Sequence, residues 1–243
     1  KTVKDILVVL RSIIKYTEKN TKVGLSDIEI NYPKENKKEM RVLSPEEQRE
    51  FVTFLLDEPD VFKIGALISL VTGIRIGELC AMRWRDISFT DKTIRITSTM
   101  QRIRNTEQNA ERKTKVIITK PKSDASARII PITDFALSLF RMLYQSSCSA
   151  DSFLLTGRED RYIEPRVLQY HMGVHSDKCG LNDVHFHTLR HSFATRCVET
   201  GFEIKSLSEI LGHSNTKITL DRYVHSSLDL KRANMMKLES IGY

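Results

Sequence analysis

Thr93-Ile94-Arg95-Ile96-Thr97 sets apolar side chains at every second position, in a chain that reads as helix on either side of this region. Ile87-Ser88-Phe89, Val116-Ile117-Ile118-Thr119 and Ala127-Arg128-Ile129-Ile130-Pro131-Ile132 carry the same pattern around turns expected at Thr90-Asp91-Lys92 and Ser123-Asp124. A period of two puts alternate residues on opposite faces of a strand, so these segments predict a small antiparallel sheet. On either side the chain reads as helix. Ser44-Pro45-Glu46-Glu47 combines a serine N-cap, proline at the first helical position and glutamate at the third, predicting a helix to about Leu56. Phe62 to Thr72 is almost wholly apolar and stops at Gly73, which predicts a buried helix, and a further helix is expected from Ile76 to Trp84. Helical patterns return from Asp134 onward, interrupted at 146–151, 157–160, Gly180, Gly201 and Gly212. The fold class is α+β, mostly helical with a small antiparallel β-sheet.

Val3, Ile6, Leu7, Leu10, Ile13 and Ile14 mark an amphipathic helix to about Lys19, whose apolar stripe requires a partner surface. The polar run from Asn31 to Glu39, with Pro33, reads as a linker. Residues 1–30 are therefore expected to be the end of a preceding helical domain, 31–43 a linker, and 44–225 the main domain, with a tail at 226–243. The chain opens at Lys1 inside a helix, so further residues are expected before it.

Lys and Arg number 38 against 31 Asp and Glu, a net charge of +7 that favours a polyanionic partner, although many basic proteins bind none. Cys80, Cys148, Cys179 and Cys197 show no CxxC spacing and read as reduced thiols, which predicts an intracellular, cytoplasmic protein. No run of 18 apolar residues and no leader pattern points to a membrane or to secretion.

The last quarter carries the chemistry: His187-Thr188-Leu189-Arg190-His191, then Leu211-Gly212-His213, then Arg222-Tyr223. Cations that hold a charged phosphate beside a phenol that displaces an alcohol from it are what covalent attack on a phosphodiester needs. His187 and Arg190 stand three apart on one helical face, and His191 points elsewhere and reads as structural. Tyr223 on an amphipathic helix is ordinarily a core residue, but of the seven tyrosines it alone has His213 upstream and Arg222 beside it. Upstream, Arg75, which lies between Gly73 and Gly77, can share a helical face with Glu78. Alone they are a surface ion pair; otherwise they are a bidentate phosphate ligand oriented by a carboxylate. Lys120 and Lys122 lie at the tip of the expected hairpin, either simply solvated or supplying a mobile general acid. The helices expected on either side of Gly212 also resemble a DNA-reading helix pair.

Arg with Glu, a hairpin Lys, HxxR, GH and a following RY in that order resemble the tyrosine recombinase (phage-type integrase) family. The resemblance covers about Val42 to His225 through the segments TGIRIGEL, PKSDASARIIPI, HTLRHSFAT and LGHSNTKITLDRY, and the hairpin is most similar to integrases of conjugative transposons and temperate phages. It implies a catalytic domain preceded by the remnant of a helical core-binding domain. It further implies a site-specific DNA recombinase that integrates or excises a mobile element. Tyr223 is then the nucleophile that forms a 3′-phosphotyrosine, with Arg75 and Arg190 clamping the phosphate. Lys122, preferred over Lys120, is the general acid; His187 assists proton transfer, His213 donates to a phosphate oxygen, and Glu78 orients Arg75. The same resemblance implies double-stranded DNA as partner, a homo-tetramer on DNA joined by the C-terminal helix, an accessory DNA-bending or excision protein, and no cofactor or ATP. No metal is implied, and Glu78, Asp86 and Asp91 do not read as a two-metal cluster.

Two rivals stay open. A type IB-like topoisomerase uses nearly the same chemistry and relaxes plasmids without recombinant product. A catalytically silent DNA-binding regulator needs basic residues but not this ordered set.

Overall fold

The structure is a computed structural model, and it describes residues 2–21, 28–33, 40–107, 112–121, 126–146, 148–223, 232 and 235–236. The chain divides into two compact units, Lys1–Glu39 and Met40–Tyr243. In the first, α1 (Thr2–Asn20) is the amphipathic helix expected from its periodicity, and Val3, Ile6, Leu10 and Ile13 on it are exposed.

The second unit begins at the capping box. Ser44 Oγ accepts from the Glu47 amide at 3.1 Å and Glu47 Oε2 accepts from the Ser44 amide at 2.8 Å, starting α2 (Pro45–Leu56) where the sequence placed it. Asp60 caps α3 (Val61–Thr72), and Gly73 closes it in the left-handed region at φ 67°. Eight α3 residues are buried, and the helix packs against α2, α5 (Asp134–Leu143), α6 (Pro165–Lys178) and α7 (Phe186–Glu199). Leu67, Ile68, Phe51, Phe140, Phe186 and Leu189 meet there with no more than 2% exposure, each contributing roughly 1.5–3 kcal/mol.

The helix after Gly73 is shorter than its sequence predicts: α4 spans Ile76–Ala81, and Trp84–Asp86 form a separate 3-10 turn. Tertiary hydrogen bonds account for the break. Met82 O accepts from the Leu154 amide and Ser152 O from the Trp84 amide, while Asp86 caps Arg83 at 3.0 Å, so the backbone between them is drawn out of the helical ladder.

The β segments form two sheets rather than one. β1 (Ile87–Ser88), β2 (Thr93–Ile96) and β5 (Arg128–Pro131) make an antiparallel sheet in the order β1-β2-β5. A strand absent from the sequence reading, β3 (Thr99–Arg104), pairs with β4 (Thr114–Thr119) as a separate ribbon. In β3 Met100 alone is buried, so the alternation that announces a half-buried strand is weak there. The turn at Thr90–Lys92 is present, with Lys92 at φ 49°; the turn expected at Ser123-Asp124 lies outside the described residues.

At the far end, α8 (Ile204–Leu211) stops on Gly212 at φ 62°, and α9 (Thr216–Tyr223) follows. With α7 these helices enclose a small second core of Ala194, Cys197, Leu207, Leu211 and the ring of Tyr223. All four cysteines are free. No helix of the described residues is long and apolar enough to cross a membrane.

Candidate active site

Two glycine-closed helix ends build the site. A left-handed residue turns the last carbonyls of a helix aside, and here they meet arginines. Arg190 donates from Nη1 to Gly73 O at 2.7 Å and from Nη2 to Leu211 O at 2.6 Å; Arg75 donates to Gly212 O at 3.0 Å. Neither turn tolerates a side chain: a Cβ on Gly73 would lie 2.4 Å from Phe193, and one on Gly212 would lie 2.8 Å from Arg128.

Glu78 is 4% exposed and makes four hydrogen bonds. It accepts from the Arg75 amide at 2.9 Å and guanidinium at 2.7 Å, and from Arg128 through two parallel bonds of 3.0 and 2.9 Å. Burial pushes its carboxyl up, but the hydrogen bonds and charge of Arg128, followed by the charge of Arg75, outweigh it and hold the group below its ordinary value. Arg128 was not singled out in the sequence. Its Nε also donates to Ile210 O at 2.6 Å, so it joins β5, α4 and the end of α8. The available signal was an arginine inside an apolar strand, where a charge persists only if paired.

Arg190 is buried, and His213 Nε2 lies 3.1 Å from its Nη2. An arginine only donates, so Nε2 is the accepting nitrogen and the ring proton sits on Nδ1, which donates to Thr219 Oγ1 at 2.8 Å. Burial, then Arg190, Arg75 and Arg222, push His213 down to about 3. His187 is lowered by burial first and then by Arg190 and Arg75. Both imidazoles are neutral at pH 7. Burial and Arg75 also lower Arg190, which keeps its charge at neutral pH.

Tyr223 is 5% exposed, its ring parallel to that of His213 at 6.4 Å between centroids. Its hydroxyl lies 2.7 Å from His191 Nδ1. The expectation that His191 points elsewhere does not hold. It stands one turn beyond His187, and the neighbouring helix α9 brings the tyrosine to it; sequence spacing shows the turn but not the neighbour. Burial raises the Tyr223 phenol, with Arg190 and Arg222 working against the rise.

Arg75, His187, Arg190, His213, Arg222 and His191 line one open cavity of about 290 Å³, and Tyr223 does not line it. Six of the seven residues expected in the site therefore lie in or against this one feature. The seventh, Lys122, is outside the described residues; Lys120 is exposed at the end of β4. The carboxylates Asp86 and Asp91 go to other partners, Asp86 to Arg83 and Thr97, Asp91 to Ser88. A cavity walled by cations and neutral imidazoles, with a phenol behind it, suits a phosphodiester anion and an in-line nucleophile.

The model of the phage integrase family matches residues 41–229. A tyrosine recombinase XerC-like protein of Caldanaerobacter subterraneus is 29% identical over 172 residues, covering 65% of this chain and 44% of that protein. The transposase from transposon Tn916 of Enterococcus faecalis is 26% identical over 215 residues, covering 81% of this chain and 51% of that protein. The chain thus spans about half the length of these curated relatives. Among solved structures, the Tn1549 transposon integrase in complex with a circular intermediate DNA superposes with a TM-score of 0.77 at 22% identity, covering 98% of this chain and 79% of that one. That likeness establishes the fold: a mostly helical domain with small antiparallel sheets.

Proposed function

The chain belongs to the phage integrase family, and we propose on that footing that it is the catalytic part of a site-specific recombinase that cuts and rejoins double-stranded DNA of a mobile element. The observation that carries this reading is the convergence of Arg75 and Arg190 on one cavity, pinned by carbonyls at Gly73, Leu211 and Gly212, with Tyr223 directly behind. A DNA-binding regulator needs no buried arginine aimed into a cavity, and burying one is costly.

Tyr223 attacks the phosphorus, leaving a 3′-phosphotyrosine and a free 5′-hydroxyl. One phosphate ester replaces another of similar energy, so rejoining needs no ATP. Arg75 and Arg190 hold the non-bridging oxygens, where removing one preorganised donor typically costs about 10²–10³ in rate. Glu78 keeps Arg75 in its fork geometry, and Lys122 protonates the departing 5′-oxygen. His187 assists proton transfer beside the phosphate. For His213 to donate to a phosphate oxygen from Nε2 it must take up a proton, which an anion in the cavity favours.

The remaining assignments extend the same reading. Residues 1–30 are the end of a core-binding domain, 44–225 the catalytic domain, and the protein works in the cytoplasm as a tetramer on DNA, with an accessory DNA-bending or excision protein. The tail at 226–243 docks on a neighbouring protomer; Met235 and Met236 within it are exposed. Full cleavage by a monomer truncated after His225 would sink the docking proposal.

A nicked suicide duplex tests the central reading. Wild type is expected to form a covalent protein–DNA adduct and Tyr223→Phe none; an adduct surviving in Tyr223→Phe refutes it. Plasmid relaxation without any recombinant product would favour a topoisomerase of the same chemistry.

A further inference from the structure

Tyr223 does not line the cavity, and its hydroxyl lies 2.7 Å from Nδ1 of His191, whose ring is among the cavity walls. With the ring proton of a neutral His191 on Nε2, the Nδ1 lone pair accepts from the phenol, and this is the tautomer in which Nδ1 can receive the phenolic proton. The two rings are 5.7 Å apart between centroids, and the Tyr223 ring is held by Ala194, Cys197, Leu207 and Leu211, so the pairing rests on packed helices rather than on a loop. His187 is placed differently. It lines the same cavity one helical turn earlier, its ring 6.3 Å from that of His191, and it is His191 that meets the phenol.

Building on the reading of Tyr223 as nucleophile, we propose that His191 is the general base of strand cleavage. As the bond from the phenol oxygen to phosphorus forms, the phenolic proton passes to His191 Nδ1. The bond from phosphorus to the 5′-oxygen breaks, and that oxygen takes a proton from the general acid on the hairpin. In rejoining, the 5′-hydroxyl gives its proton back to the hairpin group as its oxygen attacks phosphorus, the phosphotyrosine bond breaks, and the imidazolium returns its proton to the phenolate. A positioned base of this kind is worth about 10²–10⁴ in rate. The groups facing His191 are His187, Arg190 and Arg222 besides Tyr223, and all of the cations among them favour its neutral, proton-accepting form.

Single-turnover adduct formation on the suicide duplex, with the whole chain, tests this with His191→Ala, His191→Asn and Tyr223→Phe, alongside melting temperature and DNA affinity. Asparagine supplies an acceptor close to the Nδ1 position but cannot carry the proton. His191→Ala is expected to slow the adduct by about 10²–10⁴ with DNA affinity unchanged, and His191→Asn to stay at least ~10-fold slow. Free imidazole should speed the alanine variant and not wild type. An asparagine variant within about threefold of wild type overturns the proposal, as does an alanine variant that binds DNA normally and ignores imidazole. If His191→Ala does not fold, the asparagine variant decides. An adduct in Tyr223→Phe instead overturns the identity of the nucleophile, so the two failures are told apart.

Discussion

Arg128 and Glu78 are joined by two parallel hydrogen bonds of 3.0 and 2.9 Å between side chains that are 6% and 5% exposed, and the same carboxylate holds Arg75. The most buried ion pair of the site thus lies one residue behind the cavity, between a strand and a six-residue helix too short to hold its own position.

Arg128→Ala removes a partner and leaves Glu78 buried beside Arg75 alone. Breaking a buried pair from one side costs about 3–5 kcal/mol, and Arg75 keeps the loss near the lower end. Urea unfolding should show it; a loss below about 1 kcal/mol would mean that the pair is as weak as a surface one. Arg128→Lys should fall between, because an ammonium keeps the charge but not the fork.

Gly212→Ala should damage both stability and chemistry. A left-handed alanine costs roughly 1–2 kcal/mol, and its Cβ would also press on Arg128 at 2.8 Å. Since Gly212 O positions Arg75, adduct formation should fall by more than the melting temperature explains. Equal activity at a temperature where both proteins are folded would refute the link.

Acid should destabilise this domain in two stages of the same sign. His191 and His213 are held down to about 4 and about 3 from an ordinary 6.5, so the unfolded chain binds protons that the folded one refuses. Stability is complete above 6.5 and declines as pH falls from there. Glu78, held below its ordinary 4.5, adds a further loss below that value as its carboxylate is protonated. Guanidinium unfolding between pH 8 and 4 should therefore show the first loss before carboxylates titrate, and His213→Gln should reduce it. In the free protein, the NMR titration of His213 should have its midpoint far below 6; a midpoint above 6 contradicts the burial described.

Thr219→Val deletes the acceptor of His213 Nδ1–H at 2.8 Å while nearly preserving shape. The imidazole loses the bond that fixes its tautomer. Adduct formation should drop by about tenfold or more, as when the partner orienting a functional histidine is removed, with little change in DNA affinity. An unchanged rate would free His213 from any dependence on α9.

DNA binding should weaken steeply with salt, log K falling by about 0.9 per phosphate contacted for each unit of log salt. Arg75→Ala should reduce that slope by about one contact. A slope indifferent to salt would remove the electrostatic basis of the DNA reading.

Local signals were legible where a single segment determines its own geometry. The capping box at Ser44–Glu47, the closure of α3 at Gly73 and of α8 at Gly212, and the alternation of Thr93–Ile96 all appear in the structure where the sequence places them. The failures have tertiary causes. The helix expected to continue to Trp84 ends at Ala81 because backbone groups near Ser152 and Leu154 take its hydrogen bonds, and β3 shows no clear alternation because little covers it.

Order and residue type along the chain determined the family, the α+β class, and the set Arg75, Glu78, His187, Arg190, His213 and Tyr223 as candidates for one site. Only the tertiary structure decided how they are wired. Arg128 as the buried partner of Glu78, the Nδ1 tautomer of His213, and His191 rather than His187 against the Tyr223 hydroxyl all depend on contacts between segments far apart in sequence. The physical reason is range. A cap or a strand period is set within a few residues, whereas pairing a buried charge or orienting an imidazole depends on which helix end or strand the rest of the fold brings within about 3 Å.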